Sequence, residues 1–108
     1  MNDCKFIGRF IEDPKLKIVE KENGHTTTTT RFWISIPRVF KKKDTGKISK
    51  QETILQFEAW DTGAEAIVGR FSKNSWIILY CYAKTLTIDG DDVIFRVEKF
   101  DSLDVYKV

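Results

Sequence analysis

Residues 53–71, TILQFEAWDTGAEAIVGRF, run from an alternating segment straight into a helical one. From Thr53 to Trp60, Leu55, Phe57 and Ala59 alternate with Ile54, Gln56, Glu58 and Trp60, the period of a strand with one buried face. At Asp61 the period changes. Ala64, Ile67, Val68 and Phe71 follow the i, i+3, i+4, i+7 spacing of one buried helical stripe, and Thr62-Gly63-Ala64-Glu65 has the spacing of a capping box. A helix over Asp61–Phe71, about three turns, is too short to stand alone in water and must pack on a sheet. It is the one helix candidate in the chain.

On the N-terminal side of this segment, residues 41–52 are polar with Gly46 near the middle, and their number predicts a flexible excursion rather than a tight turn. Before them, Thr26–Thr30 merge into Arg31-Phe32-Trp33-Ile34-Ser35-Ile36, β-branched and aromatic throughout. Alternation assigns Phe32, Ile34 and Ile36 to the core and Arg31, Trp33 and Ser35 to the opposite face. Pro37 cannot donate to a ladder, so the strand becomes an edge or ends there. Further back, Cys4–Ile11 reads as a strand in which Gly8 marks a bend or a close backbone approach. Asp13-Pro14 interrupts it, Leu16–Val19 resumes it, and Asn23-Gly24 supplies a tight turn.

On the C-terminal side, Lys73-Asn74-Ser75 leads into a long β run, Trp76–Ile88. Ile77, Leu79, Cys81 and Ala83 share one face, and Trp76, Ile78, Tyr80, Tyr82 and Lys84 the other. Asp89-Gly90 is a second turn signal and Val93–Phe100 a final strand. The sum is an all-β chain of five strands, the first strongly curved, with one short helix between strands three and four. That is the pattern of the five-stranded OB-fold barrel. A half-open SH3-like barrel is the nearest competitor, but it offers no place for a helix after strand three.

Charge is concentrated. Residues 31–52 carry Arg31, Arg38, Lys41, Lys42, Lys43, Lys47 and Lys50 against Asp44 and Glu52, a local +5 in a chain of net +2. Flanked by Trp33, Phe40 and Trp60, this segment points to a polyanion partner. Glu58 lies on the same face by alternation and argues mildly against it unless it pairs with Arg31.

The 108 residues suit one domain with one core. No apolar run reaches the length of a membrane span, and MNDCKFIGRF lacks the features of a signal peptide, so the expected address is the cytoplasm. Cys4 and Cys81, far apart in sequence with no histidine cluster, indicate neither zinc nor a disulfide and are expected to be reduced and buried. His25 is the single histidine. No nucleophile motif, glycine-rich phosphate loop or metal-ligand cluster is present, so no enzyme, metal or other cofactor is expected.

With Asn2, the run Phe6-Ile7-Gly8-Arg9-Phe10-x-x-Asp13-Pro14 resembles the opening of the bacterial and phage single-stranded DNA-binding protein family. Phe57–Glu65 is similar to that family's third strand running into its helix, and Lys73-Asn74-Ser75 stands where the family has Lys-Gly. The resemblance covers nearly the whole chain. It implies sequence-independent binding and protection of single-stranded DNA in replication, recombination or repair, with aromatics stacking on bases and lysines and arginines tracking phosphates. By position it places Phe40 and Trp60 at stacking sites. Ile54 and Ile88 stand where relatives carry tryptophan, so the expectation is either that Trp33, Tyr80 or Tyr82 compensates or that affinity is lower. The full expected surface is Arg31, Trp33, Arg38, Phe40, Lys41, Lys42, Lys43, Lys47, Lys50, Ile54, Gln56, Trp60, Tyr80, Tyr82 and Lys84.

The resemblance further implies a homo-oligomer, dimer or tetramer, with strand one as a pairing edge, at the nucleoid or replication fork of a bacterial cell or a phage-infected host. Two departures from the family are visible. The sequence stops at Tyr106-Lys107-Val108, without the linker and acidic tip that recruit replication proteins, and Thr85–Val93 is a short hairpin where relatives extend a long loop. Both favour a compact, phage-type member. Two other functions suit the same fold: a primosome-type accessory module bridging replication proteins, and an RNA-binding OB module of the cold-shock kind.

Overall fold

The computed structural model describes residues 1–90 and 92–103. The terminal Tyr106-Lys107-Val108 falls outside the described residues. The elements are β1 (Cys4–Phe10), β2 (Lys17–Glu20), β3 (Thr26–Lys41), β4 (Ile48–Trp60), α1 (Asp61–Arg70), β5 (Trp76–Thr85) and β6 (Val93–Ser102). Strands lie in the order β1-β5-β6-β4-β3-β2, and a further β1–β3 pairing closes the sheet into a barrel. β1 and β2 are the two halves of one curved strand broken at the Asp13-Pro14 corner, so the closed barrel has five strands, as expected of an OB-fold.

Closure depends on Gly8. A Cβ there would lie 2.4 Å from Ile34 Cγ2 and 2.6 Å from the Ser35 carbonyl oxygen, so only glycine lets β1 reach β3, where Arg9 pairs with Ser35 and Phe10 with Ile34. The corner that follows is locked from across the barrel. Lys73 N–H donates to Asp13 Oδ1 at 2.7 Å, Asn74 N–H to the Phe10 carbonyl at 2.9 Å, and Arg9 Nη1 to Asn74 Oδ1 at 2.7 Å. Asn74 has φ +76°, in the left-handed region that favours glycine and that asparagine tolerates. Asn2 continues the β1–β5 pairing with its side chain: Nδ2 donates to the Ala83 carbonyl and Oδ1 accepts from Ala83 N–H.

The interior follows the alternation read from sequence. Phe10, Phe32, Ile34, Phe57, Ala59, Ile77, Leu79 and Cys81 form the core, and Ala64, Ile67 and Phe71 bring α1 onto it. Phenylalanine rings run through it in edge and stacked contacts, with centroids 5.0 Å apart for Phe6–Phe95 and 5.8 Å for Phe32–Phe57, within the range of favourable aromatic pairs.

Four local expectations need correction. The helix has no capping box. It begins at Asp61, its N-cap is Trp60 without a side-chain cap bond, and Thr62 is already inside the helix. Asp61 itself has φ +54° and is held by the hydroxyl of Thr27, while Thr28 Oγ1 donates to its carbonyl at 3.3 Å.

At Pro37 the strand becomes an edge rather than ending, and it is the loop expected over residues 41–52 that is corrected. β3 and β4 stay paired from Thr29–Trp60 out to Lys41–Ile48. Residues 41–52 are therefore mostly ladder rather than loop, and the turn occupies only 43–46, with Gly46 at φ +69° and Lys42 N–H bonded to the Lys47 carbonyl at 2.9 Å. The resulting ribbon stretches the molecule to 60 × 42 × 25 Å, with a radius of gyration of 16.2 Å where a compact chain of this length has about 13 Å.

At Asn23-Gly24 only Gly24 takes a positive φ, in a three-residue loop closed by Lys21 N–H to the His25 carbonyl at 2.7 Å. Finally, Ser35, assigned to the outer face, is buried beneath β1 at the closure point.

Candidate nucleic-acid interface

The outer surface of β3, β4, β6 and β5 is built by cross-strand register. Arg31 faces Glu58 on β4, Glu58 lies beside Arg96 on the parallel β6, and Arg96 faces Tyr82 on β5. One row of the sheet thus reads Arg31, Glu58, Arg96, Tyr82. In the next, Trp33 faces Gln56, and beyond it Ser35 faces Ile54. Trp33 is 39% exposed and Ile54 50%, so the tryptophan offers an open ring and the isoleucine an open aliphatic patch.

Glu58 is the electrostatic centre of this face. It lies on the outer face, as alternation places it, yet is only 1% exposed. Arg96 Nε donates to Oε1 at 2.8 Å, Lys84 Nζ lies 3.0 Å from the same oxygen, and Arg31 Nε is 3.7 Å from Oε2. Burial works against its ionisation, but the hydrogen bonds from Arg96 and Lys84 outweigh that, and the carboxyl is held below its ordinary value of 4.5. One negative charge therefore gathers three positive ones and leaves the row net cationic. The expected pairing with Arg31 is present and is the longest of the three.

Arg96 is the functional candidate that the sequence did not single out. Besides holding Glu58, its guanidinium lies 5.2 Å from the centre of the Trp60 ring, a cation–π distance. Alternation within Val93–Phe100 puts Arg96 on the polar face, but that Glu58 and Trp60 are its neighbours follows only from the β4–β6 pairing. Trp60 itself is half-buried, and its indole Nε1–H has no hydrogen-bond acceptor among the described residues.

Tyr80 continues the face along β5, flanked by two ammonium groups, Lys5 and Lys99, each 5.2 Å from its ring. Neither lysine was among the sequence candidates. Cys4 and Cys81 meet here as direct partners in the β1–β5 register. Both are free thiols, and Cys81, chiefly through burial and then through Cys4 and Glu98, is pushed up to about 12. Cys81 is buried as expected, whereas Cys4 is only partly so.

The remaining candidates lie on the ribbon. Lys41 and Lys50 continue the parity of Trp33 and Gln56, whereas Arg38 and Phe40 fall on the opposite ribbon face, with the Arg38 guanidinium 5.7 Å from the Phe40 ring. Lys42, Lys43 and Lys47 belong to the turn region, and all five lysines are exposed without an ion pair among the described residues. The structure thus joins Arg31, Trp33, Gln56, Ile54, Trp60, Tyr82 and Lys84 on one sheet surface, and sets Phe40 and Arg38 apart from it. Ile88, at the tip of the β5–β6 turn, is fully exposed.

A barrel of this shape has solved counterparts. The chain superposes on a deletion mutant of the single-stranded DNA binding protein from Thermus aquaticus with a TM-score of 0.73 and 17% identity, over 95% of this chain and 50% of that one. It superposes on the SSB domain of a Synechococcus sp. protein with a TM-score of 0.62 and 15% identity, over 93% of each. The chain therefore spans about half the length of the Thermus aquaticus protein and nearly all of the Synechococcus domain. At these identities it is the fold that is shared. No protein-family model matches the sequence, and no curated protein sequence does either.

Proposed function

We propose that this chain binds single-stranded DNA without sequence preference and protects it during replication, recombination or repair. The observation that carries the reading is the sheet surface on which Trp33, Trp60 and Tyr82 alternate with Arg31, Arg96 and Lys84, continued by the lysines of the ribbon. Aromatics at this spacing accept unstacked bases at roughly 1–3 kcal/mol each and do not discriminate among them, while the cations neutralise phosphates and release counterions. Paired bases cannot reach the rings, so duplex DNA binds far more weakly.

The domain works in the cytoplasm as a homo-oligomer, with no cofactor and no catalytic step. The outward Lys5, Ile7 and Arg9 of β1 suit a subunit contact, and the solution mass with and without a long single strand tests this.

The deciding experiment titrates the protein with a thymidine homopolymer and with a duplex of equal length at rising salt. Tryptophan fluorescence is quenched by the homopolymer, and log affinity falls with log salt by about 0.7 per phosphate neutralised. Equal affinity for duplex and single strand would overturn the reading. Exposed aliphatics at Ile54 and Ile88, where the family has aromatics, favour a second reading, a module that bridges replication proteins and holds DNA weakly. Failure to protect single strands at micromolar protein would select it, and preference for RNA in a matched pair of oligomers would select an RNA-binding module.

A further inference from the structure

Beside Trp60, where the short β2 lies along β3, a depression of about 330 Å³ is lined by Lys15, Lys17, Val19, Thr29, Arg31 and Trp60. Its volume is at the lower end of small-ligand pockets. Three cations line it and no carboxylate does. The depression at Tyr80 has Lys5 and Lys99 balanced by Asp3 and Glu98, and the one at the start of α1 has Asp61 and Glu65 without a cation. This pocket is therefore the one of the three that draws an anion.

Its aromatic wall is pre-set. Arg96 braces the Trp60 ring at 5.2 Å, and Glu58 in turn fixes Arg96, so the indole need not be ordered at the moment of binding. Arg31, the most distant of Glu58's three partners at 3.7 Å, is the one best able to turn toward a phosphate.

We propose that this pocket is a single-nucleotide subsite, with the base against Trp60 and the adjoining phosphates on Lys15, Lys17 and Arg31. The inference rests on the single-strand reading and extends it: the bound strand continues past the sheet surface onto β2, through two lysines on the far side of the barrel's first corner from β1.

The test uses the full chain with K15A/K17A, W60F and a control, R70A/K73A, that removes the same charge at the end of α1. Lys15 and Lys17 are exposed, so the fold is retained. For a thymidine homopolymer, K15A/K17A makes the salt slope shallower by about 1.4, two phosphates at about 0.7 each, and weakens binding several-fold in moderate salt. The control keeps the wild-type slope. W60F, with Trp33 and Trp76 still present, loses most of the quenching produced by a thymidine tetranucleotide. A K15A/K17A protein with wild-type slope and affinity, or a control that loses as much, would overturn the subsite and leave the general reading standing. Wild-type protein that does not bind the homopolymer would overturn both, and its own titration identifies that case.

Discussion

Arg96 Nε donates to Glu58 Oε1 at 2.8 Å across the parallel β4–β6 pair, and the same guanidinium lies 5.2 Å from the Trp60 ring centre. A buried carboxylate thus orients the cation that braces an aromatic wall of the candidate site. Replacing Arg96 by Met leaves Glu58 buried with only Lys84 and the distant Arg31. Breaking a buried pair from one side costs roughly 3 kcal/mol, so R96M is expected to lower stability by about that much in denaturant melts. Binding should also weaken beyond what the loss of one phosphate contact explains, because the Trp60 ring is no longer held.

The same cluster sets an acid limit on stability. Arg96 and Lys84 hold the Glu58 carboxyl below 4.5 despite its burial, so the folded state releases this proton more readily than the unfolded chain. Its contribution is fully present above pH 4.5 and is lost as the pH falls through the lower, folded-state value. Unfolding midpoints measured from pH 7 down to pH 3 should fall steeply below 4.5 in the wild type. They should fall less in E58Q, which starts lower and has no such proton to gain.

Glu58 also marks where sequence reading stops. Its place among Ile54, Gln56 and Trp60 assigns it correctly to the outer face. Its cover comes from Lys84 and Arg96, on strands whose order in the sheet is not written in any local pattern. The ribbon was hidden for a different reason. From Pro37 to Glu52 the ladder has no core to bury against, so the alternation that revealed Leu55, Phe57 and Ala59 is absent, and a paired hairpin reads as a polar loop. What was legible had a buried side or a backbone constraint. The close approach at Gly8 and the break at Asp13-Pro14 are both found, and of the expected helical stripe Ala64, Ile67 and Phe71 are buried while Val68 is only partly so.

Glycines separate the two kinds of constraint. At Gly8 the added Cβ meets Ile34 and the Ser35 backbone below 3.0 Å, whereas at Gly63 and Gly69, both within α1, nothing lies within 4 Å. G8A should cost about 1–3 kcal/mol by forcing β1 and β3 apart. G63A or G69A should add about 0.5–1 kcal/mol through helix propensity. Thermal melts of the three variants give opposite signs if barrel closure, rather than glycine content, sets stability.

Cys4 and Cys81 face each other in register yet differ in chemistry. Burial, then Cys4 and Glu98, push the Cys81 thiol up to about 12, so at neutral pH it stays protonated and only Cys4 should react with iodoacetamide in the native protein. With a folded value above its ordinary 9.0, the thiol leaves stability untouched below pH 9. Stability declines as the pH rises from there toward 12, because the unfolded chain ionises first. Native-state mass mapping of alkylated peptides and an alkaline melt of C81A against wild type check both halves.

Ile54 offers the sharpest test of the surface by gain rather than loss. It is 50% exposed and shares its face with Trp33 and Gln56. Substitution by Trp fills no cavity and displaces no buried neighbour, so stability should stay within about 0.5 kcal/mol of wild type, as for other surface changes. A new platform is worth roughly 1–3 kcal/mol per base. I54W should therefore bind a thymidine homopolymer at least about five-fold more tightly, with larger fluorescence quenching and an unchanged salt slope, since no phosphate contact is added. Unchanged affinity would mean that bound strands do not cross this part of the β3–β4 face, and would confine the path to Trp60 and β2.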